Sequence, residues 1–208
     1  MVLAAEKKVA SKLLEQDISA EKLYTLNDNM VCAVAGINSD ASILINRARY
    51  YGQIYRRTYN EEISCEQLVR HLSDLKQGYT QHGGLRPYGV SLLYAGYDDD
   101  HEFQLFLSNP SGNYSGWKAT SIGSNNSTAQ TVLKQEFKEN LPLKDAVALA
   151  IKVLSKTMDS STLSSEKVEF ATIGKNKDGK IVQKIWSPAD IDLLIKESGL
   201  AKPQEDDE

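Results

Sequence analysis

Few side chains in this sequence stand at the spacings that chemistry requires. Asp98-Asp99-Asp100-His101 gathers four possible cation ligands. They follow one another directly, without the ordered alternation of a calcium loop, and read as a solvated hairpin tip. His71 falls in mid-helix with no ligand partner at i+4. His82 stands at a helix end, where an imidazole ordinarily caps a carbonyl. Cys32 and Cys65 are the two cysteines, too few for a disulfide framework or a zinc site, and read as reduced core thiols of a cytosolic or nuclear protein. Tyr50, Tyr51, Tyr55 and Tyr59 form a partial helical stripe that suits core or interface packing better than base stacking. Three sequons, at Asn113, Asn125 and Asn126, read as chance. No Gly-x-Ser-x-Gly elbow, phosphate loop or His-Glu-x-x-His helix is present. The expectation is no catalytic residue, no metal and no cofactor.

Composition narrows the classes further. The 208 residues are 41% hydrophobic, enough for a sizeable core. The net charge of −4 and pI near 5.5 lack the basic footprint of a nucleic-acid binder. No apolar run approaches the roughly 20 residues of a membrane helix, and the N-terminus lacks the basic, apolar, small order of a signal peptide.

The elements follow from periodicity. Met1–Ala5 and Lys22–Leu26 read as short strands. Met30–Ala35 is small and continuously apolar, as in a strand covered on both faces. Ser39 or Asp40 can cap a helix with an apolar stripe at Ile43, Leu44, Ala48, Tyr51 and Tyr55. Ser64 opens a second helix with Gln67 as its capping-box partner and a stripe at Leu68, Leu72, Leu75 and Tyr79. Gly83 and Gly84 can end it in a left-handed conformation. Strands follow at Gly89–Tyr97, Phe103–Leu107 and Trp117–Ile122, then helices at Ser127–Lys138 and Leu143–Met158. A hairpin at Lys167–Ile173 and Lys180–Trp186 precedes a last helix from Pro188 to Glu197. Grouped rather than alternating elements predict an α+β fold. Two stacked antiparallel sheets between helix layers, a four-layer αββα sandwich, would bury these faces. One domain is expected over 1–200, with an acidic tail over 201–208.

The stretch Tyr79-Thr80-Gln81-His82-Gly83-Gly84-Leu85-Arg86-Pro87-Tyr88-Gly89-Val90-Ser91 resembles the corresponding segment of proteasome core-particle α subunits. Val2-Leu3-Ala4-Ala5-Glu6-Lys7-Lys8-Val9, Glu21-Lys22-Leu23-Tyr24 and Val34-Ala35-Gly36-Ile37 are similar to family segments in the same order. Asn109–Ala119 and Leu154-Ser155-Lys156-Thr157-Met158-Asp159 resemble the α type-4 subtype. The resemblance implies the N-terminal-nucleophile hydrolase type of sandwich. It also implies a chain that begins where the family's first hairpin finishes, with an apolar surface and strand edges exposed there.

Catalytic members of that family use an N-terminal threonine, with a lysine and an acid beside it. By resemblance Glu6 falls at the acidic position and Lys22 at the lysine position, while the nucleophile's place lies before Met1. The resemblance therefore implies a non-catalytic structural subunit of the α ring, serving assembly, gating of substrate entry and docking of regulatory particles in ubiquitin-dependent degradation. The implied partners are the other α subunits of a heteroheptameric ring, the β subunits and the C-terminal tails of activators, with neither nucleic acid nor membrane. The implied location is cytoplasm and nucleus. The implied site is an activator-tail pocket in which Lys22 pairs with a terminal carboxylate and Gly36 lets the tail's backbone approach. Ordinary roles, a surface lysine and a strand-ending turn, stay open for both. Two other readings also stay open: an N-terminal-nucleophile hydrolase activated by processing, and a truncated chain that does not assemble.

Overall fold

The computed structural model describes residues 1–7, 22–158 and 163–197. The expected tail at 201–208 and the quoted Lys8, Val9, Glu21 and Asp159 lie outside them. In chain order the elements are β1 (Val2–Glu6), β2 (Leu23–Asn27), β3 (Met30–Gly36), α1 (Asn38–Tyr59), α2 (Cys65–Gln81), β4 (Val90–Asp98), β5 (Glu102–Ser108), β6 (Tyr114–Gly116), α3 (Asn126–Glu136), α4 (Leu143–Thr157), β7 (Val168–Lys175), β8 (Ile181–Ile185) and α5 (Pro188–Glu197). The strands form one sheet in the order β2-β3-β4-β5-β6 and another in the order β1-β7-β8, all paired antiparallel.

The alternation of side chains along a strand sorts the core into layers. On β3, Met30, Cys32 and Val34 pack under α1 and α2 with Leu44, Leu68 and Leu72. Val31 and Ala33 point the other way and meet Ala171 and Ile173 of β7 between the sheets. The outer face of β7, with Val168 and Phe170, packs on Val147 and Ile151 of α4 and on Ile191 and Ile195 of α5. Helices thus cover both outer faces of two stacked sheets, and the α+β four-layer αββα sandwich is what forms. The continuous apolar run of β3 follows from that position. Each fully buried leucine, such as Leu68 or Leu72, contributes roughly 2 kcal/mol of transfer free energy.

Three expectations are corrected. Residues 117–122 are not a strand. Trp117 N–H still donates to Leu105 at 2.8 Å, but the chain then leaves the sheet edge to line a groove beside α3 and α4. Ile43 does not belong to the buried stripe of α1 and is 53% exposed; the buried face is Asp40, Ala41, Leu44, Ile45, Ala48 and Gly52. Neither Ser39 nor Asp40 caps α1. Its N-cap is Ile37, without a side-chain cap bond, because the Asp40 carboxylate is engaged elsewhere. Ser64 does cap α2, accepting from Gln67 N–H at 3.4 Å. The helix ends with His82, whose Nδ1 lies 2.6 Å from the Gly78 carbonyl. Gly84 takes the left-handed turn at φ 78°, three residues past the last helical one, and Gly83 does not.

Candidate functional site

Lys22 immediately precedes β2 and is half-buried. Its carbonyl accepts the Val34 N–H at 2.9 Å, the first rung of the β2–β3 ladder. Its own N–H and that of Leu23 donate to one carboxylate oxygen of Glu169 at 3.3 and 3.1 Å. Glu169 lies on β7 of the other sheet and is 3% exposed. No ion pair engages the Lys22 ammonium among the described residues. Glu6, on β1 opposite Val168, borders with Lys22 a groove of about 760 Å³. No hydrogen bond or ion pair joins Glu6 to Lys22 among the described residues.

Gly36 ends β3 at φ 134°. A Cβ there would stand 2.2 Å from the Gly89 carbonyl oxygen and 2.9 Å from the Val90 Cα. Backbone packing alone therefore demands glycine, whatever else this turn does. Gly89 is fixed in turn: its carbonyl accepts Ile37 N–H at 2.9 Å, and its N–H donates to Asp40 at 2.9 Å. Arg86 donates to both Asp40 oxygens, at 2.6 and 2.8 Å. The Arg86 fork first, then the Gly89 N–H, hold the Asp40 carboxyl down at about 2. The Arg86-Pro87 corner and the Val34–Ile37 turn, both singled out in the sequence, thus meet at one ion pair.

A nucleophile–base geometry occurs elsewhere, in a place the sequence did not reveal. Lys76 of α2 donates to the Ser108 hydroxyl at 2.9 Å and to the Val90 carbonyl at 3.0 Å. The Tyr94 hydroxyl lies 3.1 Å from the same Ser108 Oγ. Lys76 and Ser108 are 0% exposed and Tyr94 is 1% exposed, so no substrate reaches them. Burial draws the Lys76 ammonium down to about 8 and pushes the Tyr94 hydroxyl and Cys32 thiol up.

The remaining sequence candidates take structural places. Asp98 accepts the His101 N–H at 2.7 Å and closes the β4–β5 tip. His71 stacks on Tyr51 with ring centroids 3.4 Å apart, and burial lowers its pKa. Tyr55 packs against the α1–α2 core, whereas Tyr50 and Tyr59 are 61% and 63% exposed. Cys32 and Cys65 are both buried and free. The two residues that sequence reasoning missed had faint signals. Lys76 sits on the apolar stripe of α2, four residues after Leu72. Glu169 interrupts the apolar run Val168–Ile173.

Two stacked sheets between helix layers, with a glycine-closed turn and a lysine at the start of β2, define a sandwich of the N-terminal-nucleophile type. The family described as Proteasome subunit matches residues 1–173, and the chain belongs to it. It is 58% identical to proteasome subunit alpha type-3 of Saccharomyces cerevisiae, over all of this chain and 81% of the relative. It is 59% identical to probable proteasome subunit alpha type-3 of Schizosaccharomyces pombe, over 94% of this chain and 79% of the relative. It is 55% identical to proteasome subunit alpha type-4 of Spinacia oleracea, over 98% of this chain and 81% of the relative.

Proposed function

We propose that this chain is a structural subunit of the α ring of the proteasome core particle and takes part in ubiquitin-dependent protein degradation. The observation that carries this is the similarity to named α subunits, which extends over nearly the whole chain. It assembles with other proteasome subunits. In finer terms, its neighbours are unlike α subunits in a ring of seven closed by heterologous side-to-side contacts, and the β subunits stack below. Helices α1 and α2 resemble those that face the β ring, and the exposed Ile43, Tyr50 and Ile54 on α1 suit burial there.

The subunit cuts no peptide itself. Supporting this, the relatives it resembles over nearly the whole chain are named α subunits. Its work is to wall the chamber, restrict entry and receive regulatory particles, in cytoplasm and nucleus.

Lys22 is the residue that receives them. A compact ammonium suits a terminal carboxylate, and half-burial strengthens the pair. Gly36 forms the turn that ends β3, where the Gly89 backbone already occupies the space a side chain would need. The experiment is Lys22→Ala in an assembled core particle. Activator docking and its stimulation of peptide hydrolysis should weaken at this subunit; unchanged values would overturn the assignment.

A further inference from the structure

We propose that Glu169 is the positioning residue of the Lys22 site, acting on the lysine's backbone from the opposite sheet. The inference rests on the reading of Lys22 as the carboxylate receptor.

Glu169 shares the inner face of β7 with Ala171 and Ile173, where apolar side chains otherwise fill the space between the sheets. A carboxylate in that place carries a large desolvation cost unless hydrogen bonds compensate it. One of its oxygens accepts two successive N–H groups, those of Lys22 and Leu23, in charge-assisted bonds. Leu23 is 1% exposed, so its N–H has no ready recourse to water. The three bonds around Lys22 divide the work. Val34 N–H holds the carbonyl side within the sheet, and Glu169 holds the amide side from across the core. Together they set where β2 begins and the direction in which the Lys22 side chain leaves the backbone. A long side chain whose base is already fixed loses less freedom when it closes on a ligand.

The test uses the assembled core particle. Its probes are a photo-crosslinking peptide bearing an activator's last residues with a free carboxylate and the same peptide amidated; labelling of this subunit is scored. Glu169→Ala should lower free-acid labelling affinity about tenfold, the scale of ordering a freed side chain on binding, and leave the amide unchanged. Glu169→Gln, which keeps a side-chain carbonyl acceptor, should restore most of the preference for the acid. A purely structural role would lower thermal stability or assembly without moving the acid-to-amide ratio. If Lys22→Ala leaves that ratio intact, the receptor reading itself fails. If Lys22→Ala abolishes the ratio and Glu169→Ala retains it, the positioning role alone is overturned. Should Glu169→Ala not assemble, Glu169→Asp decides by the same ratio. Its shorter reach should lower the acid preference, and full retention overturns the inference.

Discussion

The ammonium of Lys76 lies 2.9 Å from the hydroxyl of Ser108, and among the described residues no ion pair engages it. A helix lysine is thereby driven through the apolar face of α2 onto the start of β4 and the end of β5, where a backbone carbonyl and a hydroxyl accept its hydrogen bonds. A buried charge satisfied by neutral acceptors keeps much of its desolvation cost.

Replacing Lys76 should therefore separate volume from charge. Lys76→Met keeps most of the volume and removes the ammonium, and should change unfolding free energy by no more than about 1–2 kcal/mol, in either direction. Lys76→Ala leaves a cavity and should cost about 2–5 kcal/mol. Chemical denaturation of both variants checks the pair. A Met variant as damaged as the Ala variant would show that the hydrogen bonds, not the filled space, dominate.

The same lysine makes stability depend on alkaline pH. Its folded pKa is about 8 against an unfolded value of 10.5. Between those limits the unfolded chain holds the proton that the folded chain has released, so stability rises with pH. The unfolding free energy of the parent protein should gain on that of Lys76→Met by up to about 1.4 kcal/mol per pH unit across that window. Parallel curves from pH 7 to 10.5 would refute the assignment.

Acid should act at Asp40. Its carboxyl is held at about 2, below the usual 3.8, by Arg86 and the Gly89 N–H. A depressed carboxyl contributes stability that is fully present above the ordinary value and disappears as pH falls through the folded one. The Arg86 clamp is thus constant across physiological pH and fails only below pH 4. Asp40→Asn should flatten the acid limb of a stability-versus-pH curve between about pH 4 and 2, which thermal melts across that range would show.

Gly36→Ala meets two obstacles at once. A φ of 134° disfavours any side chain, at roughly 1–3 kcal/mol, and the new methyl stands 2.2 Å from backbone oxygen that cannot swing aside. The variant should lose at least that much stability and shift the Gly36–Ile37 turn. Denaturant unfolding, with hydrogen exchange at the Ile37 amide, measures both.

The thiols should be silent. Burial lifts Cys65 to about 12 and Cys32 higher still, so neither offers thiolate at neutral pH. A disulfide reagent should label the native protein no faster than it opens, and labelling within seconds under native conditions would contradict this.

Periodicity exposed the layers because each strand's two faces are written into its own residues. Met30-Val31-Cys32-Ala33-Val34 alternates between two cores, and a continuous apolar run is what that position requires. Resemblance led to Lys22 and Gly36. The bonds that anchor them were illegible, since they reach from Lys22 to Glu169 and from Asp40 to Arg86, across 147 and 46 positions of chain. Lys76 was hidden for a related reason. Its acceptors belong to other elements, and a lysine in a helix reads as solvated until they are known. The strand expected at 117–122 failed because pairing with β5 stops at Gly116 and the chain past Trp117 turns to the groove beside α3 and α4, helices far along the sequence.

The turn Asn109–Asn113 closes on itself through the Gly112 N–H and the Asn109 carbonyl at 3.0 Å. Its Gly112 leaves a prospective Cβ only 2.6–2.8 Å from Gln77, the neighbour of Lys76. The loop therefore works as a depth gauge: bare backbone rests directly on the helix, next to the residue that skewers it to the sheet. Any side chain there would tilt α2 outward, and a fault in a surface loop would be felt along the whole helix.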